Sequence, residues 1–195
     1  PRRQARERGA VHRRGARGGK VVLLKREPPE TSLLVRFMRA PRADQGKLRS
    51  GGTRGVAVHA GTFLRKREIV LDSGLLASPP ELARILTHEL FHFAWVRLGN
   101  PARRSYERLV ASELRRGVSG ELGWSSEHRK NALTAKDTTA RSRRWREYLC
   151  ESFCDTAAWL HARSRRHGEY TLPAAARKLR RRWFEDARKL GWLSV

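Results

Sequence analysis

Five consecutive residues, His88-Glu89-Leu90-Phe91-His92, carry the chemistry most open to reading in this chain. On a helix the two histidines stand four residues apart on one face, so both imidazoles reach a single metal ion from the same side. Glu89 projects from the neighbouring part of that face, where it meets a water on the ion. Zinc suits such a set, because it takes nitrogen and oxygen ligands in a tetrahedron and keeps one position open when the protein supplies three. A water so placed loses a proton near neutral pH, and the glutamate is there to take it. With 7 histidines and 14 glutamates in 195 residues, a shuffled chain shows the HExxH pattern with a probability of about 0.02. The pattern stands above chance, and its surroundings decide its meaning.

Those surroundings read as one uninterrupted helix. Ser78-Pro79-Pro80-Glu81 predicts a capping box with proline at the first helical position, and Gly99-Asn100-Pro101 predicts the stop. Between them Leu82, Ile85, Leu86, Leu90, Phe93 and Val96 recur at three- and four-residue steps, an apolar face beside the histidines. From Ile85 to Val96 the sole charge is Glu89.

A third ligand is expected from the segment 145–159, a second helical pattern carrying acids among apolar residues. Glu151 and Asp155 share a face there, and Glu147 lies one turn before Glu151. Acids on such a helix also pair with its arginines, a reading that suits Glu147 better than Glu151, which is flanked by Cys150, Phe153 and Cys154.

These two helices together resemble the gluzincins, the thermolysin-like branch of the zincin metallopeptidases, in compact form. The resemblance implies Glu151 as the third zinc ligand, and Asp155 as the partner of the His88 ring nitrogen that faces away from the metal. It implies a zinc-dependent peptidase, an endopeptidase acting on a peptide or protein substrate, with Glu89 as general base. The resemblance is confined to the two helices. Cys150 stands where the family commonly has asparagine, and the interval from His92 to Glu151 is longer than in several compact relatives. The glycine and third histidine of the metzincins do not follow His92. Gluzincins often steady the oxyanion with a tyrosine or histidine; Tyr170 and His167 are the candidates here, with Tyr148 behind them. The alternative is a basic, nucleic-acid-associated zincin, either SprT-like or catalytically idle. SprT-like proteins usually complete the site with a histidine, and only His128, His161 and His167 follow the motif.

The elements that must position these residues read as an α+β, zincin-like fold. A small N-terminal mixed sheet packs on the HExxH helix, and a mostly helical half follows. Strands are expected at Lys20–Arg26, Ser32–Met38, Gly55–Ala60 and Thr62–Leu71, the last two forming a hairpin that turns at Gly61. Zincins bind the substrate peptide on an edge strand beside the active helix; Val56–His59 or Arg67–Leu71 is the candidate segment. His59 itself reads more as an exposed strand residue than as part of the site. Further helices are expected at roughly 101–116, 140–166 and 173–190. The first carries Tyr106, Leu109, Val110 and Leu114 on one stripe. The last turns Leu179, Trp183, Phe184, Ala187 and Leu190 inward and its arginines outward. Gly117–Asp137 reads as a loop or short helical insertion.

Composition bounds the rest. The length suits one domain, 21–195, behind a low-complexity arm, 1–20, that has eight basic residues, one acidic residue and little to bury; the arm is expected to be disordered. A net charge of +24, carried by 35 arginines and 8 lysines, is spread along the chain and predicts non-specific polyanion binding at low salt. No helix-turn-helix, zinc-finger or aromatic RNA-binding signature accompanies it. The aliphatic run Val21-Val22-Leu23-Leu24 is too short for a signal core or membrane span, so a cytoplasmic protein is expected. The two cysteines, four apart on one helix, are poorly placed for a disulfide. They read as packing thiols, with soft metal binding as the other possibility.

Overall fold

The structure, a computed structural model, describes residues 32–162 and 166–193. The basic arm and the strand expected at Lys20–Arg26 lie outside these residues. The described strands are β1 (Leu34–Met38), β2 (Pro41–Asp44), β3 (Lys47–Ser50), β4 (Val56–Ala57), β5 (Ala60–Phe63) and β6 (Glu68–Asp72). The described helices are α1 (Pro79–Arg97), α2 (Asn100–Arg115), α3 (Trp124–Asn131), α4 (Ala135–Thr139), α5 (Arg143–His161) and α6 (Ala174–Lys189). The architecture is therefore mixed α+β and mostly helical, and Leu33–Val195 separates as one compact unit. No described helix is long and apolar enough to cross a membrane.

The strands form two three-stranded sheets, ordered β1-β6-β5 and β3-β2-β4. In the first, β1 runs parallel to β6 with Val35 opposite Ile69, and β5 pairs antiparallel on the other side with Thr62 opposite Ile69. Ile69, Val70 and Leu71 are fully buried, as expected for a central strand flanked on both edges. The expected hairpin turns later than Gly61. That glycine sits inside β5 opposite Val70, and a Cβ there would meet Leu48 Cδ1 at 2.9 Å. The reversal comes at the 3₁₀ turn Leu64–Lys66, closed by Arg67 in the left-handed region (φ 50°). Gly55–Ala60 contributes the two-residue β4 and, in Ala60, the first residue of β5. A second hairpin, β2–β3, turns on Gln45 (φ 47°) and Gly46 (φ 75°), the two positive φ values that a two-residue type I′ loop demands.

α1 spans the expected range with Pro79 and Pro80 in its first turn, but the capping box does not form. Ser78 makes no side-chain cap bond. Glu81 pairs instead with Arg84 (2.5 Å) and His167 (3.2 Å), because the Arg84 guanidinium draws its carboxylate more strongly than one backbone N–H. The expected single apolar face is also redistributed. Leu90 and Val96 are 38% and 46% exposed, while Phe91 and Phe93 are buried. The cause is that α1 is covered on two sides. Phe93 joins Ile69, Leu71 and Leu75 beneath the first sheet, and Phe91 enters an aromatic core with Tyr106, Trp145, Phe153 and Phe184 from α2, α5 and α6.

α6 departs from its expected pattern in a way with larger consequences. Leu179 and Leu190 are 39% and 61% exposed, whereas Arg180 is fully buried. Its guanidinium donates to Glu113 Oε2 (2.7 Å) and Glu121 Oε2 (2.7 Å), and Tyr148 donates to Glu121 Oε1 (2.5 Å). Burial pushes the guanidinium pKa down, but Glu121 and Glu113 outweigh it and hold it well above the usual range. The segment 117–137, read as loop or short insertion, resolves into α3 and the start of α4. Asp137 closes a capping box on α4 with Thr134.

Candidate metal centre

α1 and α5 pack side by side, with α3 against the other flank of α5. This arrangement brings the His88 ring onto two acids of α5. Its Nδ1 lies 2.7 Å from Asp155 Oδ1, and its Nε2 lies 3.2 Å from Glu151 Oε2. Burial pushes the His88 pKa down, but the Asp155, Glu151 and Glu89 carboxylates outweigh it and hold it well above the ordinary imidazole range. Burial likewise raises Asp155 and Glu151, and the facing His88 more than reverses the effect in each, leaving both lowered.

α3 holds this pair from behind. The Ser126 backbone N–H donates to Asp155 Oδ2 at 3.0 Å, so the carboxylate that meets His88 is itself fixed by the first turn of α3. Gly123 makes that approach possible, because a Cβ at this position would overlap the Asp155 carboxylate. Arg129 on the same helix reaches Glu151 Oε1 at 3.4 Å. Glu147, the other acid considered for the site, is absent from it: the residue pairs with Arg143 (2.6 Å) and is 45% exposed at the side chain.

His92 stands edge-on to His88, with ring centroids 5.0 Å apart at 75°. Its Nδ1 faces the two cysteines, 3.4 Å from Cys150 Sγ and 3.6 Å from Cys154 Sγ. Both cysteines are free thiols, Cys154 fully buried and Cys150 half-buried. The hydrogen bond from Cys154, reinforced by His92, holds the Cys150 thiol down at about 6 against its burial. Burial and the Cys150 sulfur push Cys154 up. The ligand-capable atoms of His88, His92 and Cys154 lie within 4.8 Å of one another, a group able to hold a metal ion. Two groups therefore compete for the third place, the Glu151 carboxylate at His88 Nε2 and the Cys154 sulfur near His92.

Glu89 is buried beside His88, and Thr62 Oγ1 of β5 donates to its Oε2 at 2.6 Å. A cavity of ≈ 370 Å³ opens onto His88 and Glu89, walled by Val56–Ala60 on one side and by Trp124, Ser125 and Glu169 elsewhere. Of the two segments considered for substrate, Arg67–Leu71 falls largely in β6, whose two edges are both occupied. Val56–His59 lines the cavity, and β4 within it is an edge strand. His59, read mainly as an exposed strand residue, is exposed and also faces this cavity.

The oxyanion candidates lie elsewhere. Tyr148 is fully buried on Glu121. Tyr170 packs with Leu122 and Leu172, and His167 is held by Glu81 and lies beside the Tyr170 ring (5.5 Å). None of the three lines the cavity. The later histidines are similarly engaged, His128 stacked on Trp124 (5.0 Å) and His161 on Phe91 (5.4 Å). Thr62, Gly123, Ser126 and Arg129 were not singled out from sequence. Only Gly123, next to Trp124 and just ahead of a helical pattern, carries a local signal.

Comparison of the chain with protein-family models, with curated proteins and with solved structures finds no match.

Proposed function

We propose that this protein is a zinc-dependent peptidase with a gluzincin-like site on a zincin-like fold. The observation that carries the reading is His88 bridging Asp155 and Glu151 through its two nitrogens. Within the donor set, His88 and Glu151 have the spacing of two ligands on one ion. Two ligand atoms about 2.0–2.1 Å from a tetrahedral zinc stand about 3.4 Å apart, and His88 Nε2 and Glu151 Oε2 are separated by 3.2 Å. Asp155 takes Nδ1, which fixes the ring orientation and leaves Nε2 as the ligating atom. His88, His92 and Glu151 are the residues that would hold the ion.

Glu151 is favoured over Cys154 on chemical grounds. Two histidines and a glutamate are one of zinc's catalytic ligand sets, and Glu151 lies directly against the nitrogen that Asp155 leaves free. Cys154 is fully buried and faces the other histidine. Zinc held by His88, His92 and Glu151 would supply Lewis acidity to a carbonyl and a water. Glu89 takes the proton of the attacking water and passes it to the leaving amine. Thr62 holds the Glu89 carboxylate in place for both transfers. The edge of β4 offers backbone groups to an extended peptide, so the substrate lies along Val56–Ala57 by strand addition.

The test is hydrolysis of a peptide library by wild type and Glu89→Gln, with zinc content measured on both. The expected result is a fall in turnover of at least about 10²–10⁴-fold with zinc retained. Equal hydrolysis by the two proteins contradicts the reading.

A further inference from the structure

The thiol pair has no part in the peptidase reading, yet it faces a nitrogen of one of the proposed ligands. We propose that Cys150, Cys154 and Nδ1 of His92 form a second metal site, for a soft cation such as Cu(I), back to back with the carboxylate site.

Three observations carry it. Cys150 and Cys154 stand four residues apart on one face of α5, so both sulfurs approach a single point from one side. Their distances to His92 Nδ1, 3.4 and 3.6 Å, match the spacing of ligands around one ion. A sulfur about 2.3 Å and a nitrogen about 2.0–2.1 Å from a tetrahedral ion stand about 3.6 Å apart. Finally, the donor set is two thiolates and one imidazole, which selects soft cations over the harder ions that carboxylates prefer. Both thiols are free, and the half-buried Cys150 gives the ion a way in.

The site is chemically balanced. Each thiol gives up its proton as the ion binds, and two thiolates with one neutral imidazole surround a monovalent cation with a net charge of −1. His92 then ligates through Nδ1 and keeps its proton on Nε2, the other ring nitrogen. Occupation of the soft site therefore weakens any ion that needs His92 Nε2, and linkage makes the weakening mutual. This antagonism rests on the zinc peptidase reading, whereas the soft site itself does not.

The probe is Cu(I) alone, titrated anaerobically into the full chain against a coloured Cu(I) chelator. Wild type and Glu151→Gln are expected to bind one Cu(I) per chain with affinities within a few-fold of each other. The Cys150→Ser/Cys154→Ser double variant is expected to lose at least about 100-fold in affinity. Full retention by the double variant overturns the proposal. So does an equal loss in Glu151→Gln, which would make the thiols and the carboxylate one composite site. X-ray absorption of Cu(I)-loaded wild type guards against a double variant that fails to fold: two sulfur neighbours and one nitrogen support the site, and a shell without sulfur overturns it. Zinc takes no part in the titration, so failure here is distinguishable from failure of the peptidase reading.

Discussion

Around Arg180 the protein buries charge and seals it; around His88 it buries charge beside a cavity. In the first cluster Arg180, Glu113 and Glu121 are all at most 1% exposed, and each carboxylate is met by the guanidinium. Tyr148 and Lys130 add further contacts to Glu121. In the second, His88 and Glu89 line a cavity, and the contacts of His88 run through both ring nitrogens to groups that are themselves good metal ligands or their supports. A saturated, closed network is what tying α2, α5, α6 and the 118–121 segment together requires. A buried cluster with an accessible face and ligand-type atoms converging is what a reactive site requires. Buried charge alone thus does not mark function; access and the kind of atoms that converge do.

The contrast breaks most visibly at Arg180. Arg180→Met strands two buried carboxylates, and chemical denaturation should show a loss of about 3–5 kcal/mol with zinc affinity nearly unchanged. A variant that kept its stability and lost its metal would erase the distinction between the two clusters. Asp155→Asn tests the other side. It leaves the His88 ring without its carboxylate, and zinc affinity by chelator competition should fall about 10–100-fold with a smaller effect on folding than at Arg180. Gly123→Ala reaches the same carboxylate from α3. Its Cβ must push Asp155 or α3 aside, so both zinc affinity and melting temperature should drop, the affinity by less than in Asp155→Asn.

The smallest expected effect lies outside both clusters, at Asp137. Asp137 accepts from Ser142 Oγ (2.6 Å) and from Thr134 Oγ1 (2.7 Å) and N (2.8 Å), and Ser142, then Thr134, hold its carboxyl down at about 2. A lowered carboxyl stabilises the fold above its unfolded pKa and loses that contribution as pH falls through the folded value. The stability gap between wild type and Asp137→Asn should therefore be full at pH 5 and shrink as pH falls from about 4 to about 2. A gap that widened over that interval would reverse the assignment of sign.

How far the molecule is legible from sequence follows from which interactions are local. α1 is legible because its apolar spacing and Pro79-Pro80 act within one helix. The apposition of Asp155 with His88 was reached through resemblance, and the structure brings those atoms to 2.7 Å. The Gln45-Gly46 turn was missed, although a glycine second in a two-residue loop is a signal of this turn type. The Glu81 carboxylate followed Arg84 and His167, one a local neighbour and the other distant, so the box pattern could not settle it. Arg180 was beyond reach for a physical reason. Nothing in the chain separates Arg180 from the other 34 arginines until Glu113 and Glu121 are brought to it from other elements. α3 likewise gains its meaning only when α5 lies beside it.

Glu151, and not Cys154, is proposed to complete the site with His88 and His92. Elemental analysis of dialysed protein tests it directly. About one zinc per chain is predicted for wild type and for Cys154→Ser, with loss in His88→Ala and in Glu151→Ala. Zinc retained by Glu151→Ala and lost from Cys154→Ser would contradict the account and move the third ligand to the thiol.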